Sequence, residues 1–180
     1  MLLRTHVATA LSLTYMFDYY IQLGNHAYAE NIIARVIVYA TSVVLQYLID
    51  QIGHTWKKYG KHAYPARNKY HSLPAMLGLG GVIGLLYYLV TGVEELVVLF
   101  ASVMLLHWVE DLVTESGVYL FGRRIRLPFR VRYDNGAVNR VAILVLIVAA
   151  TIYTNPFHSI ITFVFYMMIV VVSAYSFLTS

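Results

Sequence analysis

His107, Glu110, Asp111 and Thr114 stand in the string HWVEDLVT, at the end of a long apolar run. Positions i, i+3, i+4 and i+7 share one face of an α-helix, so these four side chains form a polar stripe. An imidazole and a carboxylate one turn apart can chelate a divalent ion. Asp50 and His54 repeat that spacing at the end of another apolar run, provided the helix reaches so far. His6 and His71 bring the candidate ligands to six: His6, Asp50, His54, His71, His107 and Asp111. Such a set suffices for one or two divalent ions with positions left open for water, zinc first, manganese or iron as alternatives. The chain has no cysteine, so thiolate sites and disulfides are excluded. Any single pair here could be a hydrogen-bonded couple at a helix end. It is the set of six that argues for a metal.

The elements that must position these residues are apolar segments. Of the 180 residues 59% are hydrophobic and 12% charged, which excludes an ordinary soluble domain. Segments at about 5–22, 31–50, 73–91, 95–115, 137–154 and 157–178 each approach the ~20 residues that span a bilayer core. The expected fold is all-α: a polytopic integral membrane bundle of about six transmembrane helices, one domain over residues 1–180. Two longer polar links, at 51–72 and 116–136, interrupt it.

The basic residues give the orientation. Six spans put both termini and both long links on one side. That side then holds Arg4, Lys57, Lys58, Lys61, Arg67, Lys69, Arg123, Arg124, Arg126, Arg130, Arg132 and Arg140, leaving Arg35 alone near the other. The positive side is the cytoplasm, so both termini and the candidate ligands are expected there, at the inner face of the cell membrane. Tyr19, Tyr20, Tyr87 and Tyr88 fit an interfacial belt on the opposite side, and Gly80 and Gly84 a close helix approach. His26 and His158 fall on the opposite side and are read as bystanders. Arg4, an apolar stretch and AYA at 27–29 imitate a cleavable signal, but Asp18 interrupts the stretch.

The strings THVATA, LIDQIGH (48–54), RNKYHS (67–72) and HWVEDLVTESGVYL (107–120) occur in that order. Together they resemble the YdjM-like membrane-bound metal-dependent hydrolases and an archaeal branch of membrane proteins similar to them, a family related to zinc-dependent phospholipase C. The resemblance covers residues 5 to about 128. It implies that His6, Asp50, His54, His71, His107 and Asp111 are metal ligands, that Arg67 and Ser72 support them, and that Thr114 and Gly117 shape the turn that follows. The chain departs from the family pattern at Ile49, Ile52, Ala66 and Tyr70. The pattern has a second Asp at the Ile52 position and a His at Ala66, so two family ligands are missing.

The expected function is hydrolysis of phosphoester bonds of lipid at the cytoplasmic interface, since a lipid headgroup lies at the depth of the helix ends. Glu110 would take a proton from water. Arg67, with Lys69, Arg123 and Arg124, would meet the anionic phosphoester. A non-enzymatic membrane protein with a structural metal or polar helix-end cluster, binding a partner or anionic lipid, is the alternative. A transporter is disfavoured because the ionisable residues gather at one face. No nucleic acid is expected, and an oligomer is compatible with the sequence.

Overall fold

The computed structural model describes residues 2–59, 62–128, 131–132 and 134–179. Lys61 and Arg130 of the basic links, and the side chains of Lys57 and Lys58, lie outside the described residues. Among the described residues there are seven α-helices: α1 (Leu3–Gly24), α2 (His26–Glu30), α3 (Ile32–Gly53), α4 (Leu73–Thr91), α5 (Glu95–Leu112), α6 (Gly136–Tyr153) and α7 (Ile160–Thr179). Their starts are written in side chains that accept from the first free backbone N–H groups. Asn25, Asn31, Ser72 and Asn135 cap α2, α3, α4 and α6 in this way.

Four helices, α3, α4, α6 and α7, are long and apolar enough to cross a membrane. Their outward faces carry residues such as Ile37, Val44, Leu89, Val145 and Val164, all exposed. That inside-out pattern suits lipid. The other two long helices, α1 and α5, hold the polar residues and turn them inward: His6 and Asp18 on α1, His107, Glu110 and Asp111 on α5 are buried. Helix α1 packs against α3, α5, α6 and α7 and is the centre of the bundle.

Helices α4 and α5 lie closest together. A Cβ added at Gly80 would stand 2.5 Å from the Phe100 carbonyl, and one at Gly84 2.5 Å from the Val97 Cα, so only glycine lets the backbones meet. At the far end of the bundle from His6, Asp18 and Arg35 form a buried ion pair, Oδ2 to Nη2 at 2.9 Å. Tyr28 and Gln22 also donate to that carboxylate, at 3.0 and 2.9 Å. A buried pair needs such extra donors to offset its desolvation.

The all-α expectation is amended by two hairpins in the polar links. β1 (His54–Tyr59) pairs antiparallel with β2 (His62–Arg67), and β3 (Val118–Leu120) with β4 (Arg123–Ile125). The second turns through Phe121 and Gly122, both with positive φ (46° and 79°), the two-residue turn whose twist matches its strands. The first returns the chain to the end of α3, with His54 opposite Arg67. There Asn68 clamps it, its backbone N–H on the Gly53 carbonyl and its side-chain amide on that of Ile52, at 2.9 and 2.8 Å. A one-turn 3₁₀ helix, Lys69–His71, then leads into α4.

Candidate metal centre

Five of the six expected ligands converge through three helices and the 3₁₀ turn. Asp111, on α5, is the common neighbour of the three histidines. Its Oδ2 lies 2.6 Å from His71 Nε2 and 3.5 Å from His107 Nε2, and its Oδ1 lies 3.3 Å from His6 Nε2. His107 Nε2 is also 3.3 Å from His71 Nε2 and 3.6 Å from Asp50 Oδ1. The donor atoms of His6, His107 and Asp111 lie within 4.8 Å of one another, as do those of Asp50, His71 and His107. The His6 and His107 rings stack, with centroids 3.9 Å apart.

The tautomers follow from the outer partners. Glu110 Oε2 lies 2.5 Å from His6 Nδ1, and Gln46 Oε1 lies 2.6 Å from His107 Nδ1. Each oxygen accepts, so each Nδ1 carries a proton, and in the neutral ring each Nε2 presents a lone pair. Both Nε2 atoms face oxygens of the Asp111 carboxylate, an arrangement that needs a proton or a metal ion between them. The 3.3 Å between His107 Nε2 and His71 Nε2 matches two nitrogens about 2.0–2.1 Å from a tetrahedral zinc, which stand about 3.3–3.4 Å apart. Buried atoms without partners surround the cluster, among them His71 Nδ1 and Glu110 Oε1. Burial holds the His71 imidazole below its ordinary range despite the pull of Asp111, which favours the neutral, metal-binding form. The residues fit a divalent ion.

His54 is brought near but not into the cluster. Helix α3 stops at Gly53, and His54 begins β1 with its Nδ1 2.7 Å from the Asp50 carbonyl. Its ring sits 4.7 Å from that of His71. Asp50 and His54 are the two partly exposed members of the set.

The structure gives Arg67 a task other than meeting phosphate. Its Nη2 is 2.5 Å from Asp111 Oδ1, and its Nη1 donates to Thr114 Oγ1 at 2.8 Å and the Gly117 carbonyl at 2.6 Å. Arg67 is buried, and its fork holds Asp111. Thr114 also donates to the Asp111 carbonyl, which closes the end of α5. Ser72 caps α4 and bridges Tyr119 through its backbone. Three basic candidates stay outside the cluster. Lys69 lies over the Tyr70 ring, Arg123 is exposed, and Arg124 donates to the Ser116 carbonyl.

Sequence reasoning missed Gln46 and Gly53. A polar Gln in an apolar helix was the available signal for the first. A Cβ at Gly53 would collide with the His71 ring, so this glycine makes room for a ligand.

The family model described as YdjM inner membrane protein matches residues 1–179. The chain belongs to the YdjM inner membrane protein family. Membership and the four apolar helices agree on a membrane protein. The family match takes in α6 and α7, which carry none of the motifs above. Comparison with curated proteins and with solved structures returned no match.

Proposed function

We propose that the chain is a membrane-embedded, metal-dependent hydrolase of phosphoester bonds, acting on lipid at the cytoplasmic interface. The observation that carries the reading is the convergence of His6, His71 and His107 Nε2 on the buried Asp111 carboxylate. In this reading α1 and α5 join the four apolar helices as spans, both termini are cytoplasmic, and the cluster lies at the inner face.

His6, His71, His107 and Asp111 would hold the ion, with Asp50 at the open side. Because His107 Nδ1 is engaged by Gln46, one lone pair serves both groups of ligands, and we infer a single ion. Three imidazoles and a carboxylate suit zinc, with manganese or iron as alternatives. The chemistry such an ion supplies is Lewis acidity, which polarises a phosphoryl oxygen and acidifies a bound water. Glu110 holds His6 through Oε2 and keeps Oε1 as the available proton acceptor. Arg67 fixes Asp111, and substrate enters past Asp50 and His54, the exposed edge.

The test begins with elemental mass spectrometry of detergent-purified protein beside His107→Ala. About one equivalent of metal in the parent, lost in the variant together with turnover of a phospholipid panel, supports the reading. Absence of metal after loading overturns it.

The burial of four ligands favours a second reading, a structural ion that pins the helix ends. Metal removal would then lower thermal stability in a protein that turns over no phosphoester.

A further inference from the structure

Arg4, in the first turn of α1, is a cation that the metal centre does not use. It is half-buried, and its Nε is shielded from solvent with no hydrogen-bond partner among the described residues. Among the described residues Arg35, Arg67 and Arg132 each pair with a carboxylate, of Asp18, Asp111 and Asp134, and no such pair is described for Arg4. A partly desolvated guanidinium without an anion is costly.

Beside Arg4 a cleft of about 480 Å³ opens between α1, α3 and α7. Leu3, Val7, Tyr47, Val172 and Tyr175 line it, so its walls are largely apolar. It opens onto the outer surface of the bundle, where Tyr47 is 50%, Val171 63% and Tyr175 65% exposed. None of the candidate metal ligands lines it.

We propose that this cleft binds one anionic phospholipid, its phosphate on the Arg4 guanidinium and an acyl chain along Val7, Tyr47 and Val172. Charge and polarity both select this occupant. The planar fork of Arg matches two phosphate oxygens. The apolar walls continue into the surface that faces lipid tails, so a lipid enters sideways without leaving the bilayer. A zwitterionic lipid brings its own cation to the phosphate and gains less from Arg4. Free phosphate leaves the apolar walls uncovered. The proposal rests on membrane residence alone and does not require hydrolysis.

The experiment is native mass spectrometry of delipidated, detergent-solubilised protein offered phosphatidylglycerol or phosphatidylcholine with identical chains. The parent should retain phosphatidylglycerol in preference. Arg4→Gln should weaken that binding by roughly tenfold, the scale of one charge-assisted fork. Val172→Trp keeps the cation, fills the cleft and should weaken binding to a similar degree. Metal content should stay at the parent level in both variants, which separates this site from the metal centre. Equal retention of the two lipids by the parent would overturn the proposal. So would an undiminished preference in Arg4→Gln, or full displacement of the lipid by inorganic phosphate at matched concentration. Should Arg4→Gln fail to fold, Val172→Trp decides: undiminished lipid binding overturns the proposal.

Discussion

Gln46 Oε1 lies 2.6 Å from His107 Nδ1, a contact that engages one nitrogen of His107 and leaves the other to face the cluster. The two side chains come from α3 and α5, 61 residues apart. A ligand imidazole with its second nitrogen engaged is fixed in both tautomer and orientation.

Gln46→Leu removes that acceptor while keeping an apolar volume. Metal affinity should fall by about 10–100-fold, the usual effect of losing such an outer partner. Competition with a graded series of chelators would read it. Unchanged affinity would mean that the His107 tautomer is set elsewhere.

Gly53→Ala places a methyl group against the His71 ring. The expected loss is about 1–3 kcal/mol of stability, as for other overpacked sites, together with weakened metal retention. Gly81→Ala is the control, since nothing lies within 4 Å of a Cβ there. Thermal unfolding in detergent, with and without metal, should separate the two variants clearly.

Arg67→Gln leaves the Asp111 carboxylate without its guanidinium. Breaking one side of a buried pair costs about 3–5 kcal/mol, so this variant should be much less stable and lose metal. A stable, metal-loaded Arg67→Gln protein with only weakened substrate binding would return Arg67 to a phosphate-facing role.

Asp18→Asn strikes the opposite end of the bundle. The buried Arg35 guanidinium loses its counter-charge, again at about 3–5 kcal/mol. Metal content at low temperature should stay at the parent value, because the ligands lie at the other end of α1. Loss of metal in the folded variant would show the two ends to be coupled.

The helices were legible because their apolar runs are long and end in strong punctuation. The run expected at 73–91 matches α4, bounded by the Ser72 cap and Gly92. The gathering of His6, Asp50, His71, His107 and Asp111 was legible because each stands near the same end of the bundle when successive apolar runs alternate in direction. What they do to each other was not. Arg67 looks like a free phosphate binder in sequence, and only the β1–β2 hairpin carries it back onto Asp111. The hairpins escaped notice because the polar links lack strong apolar alternation. His54 kept its hydrogen-bond distance to Asp50 although the helix had ended, because the backbone turned there and the ring stayed close.

The Asp18–Arg35 pair also bears on how the protein enters the membrane. Helix α1 precedes α3 in the chain, and an unpaired carboxylate near its far end would resist burial of that helix alone in an apolar medium. Arg35 follows 17 residues later, at the start of α3, across a short α2 that turns the chain back. If α1 spans the bilayer as proposed, the pair lets α1 and α3 enter it together, with the counter-charge to Asp18 delivered by the second arm.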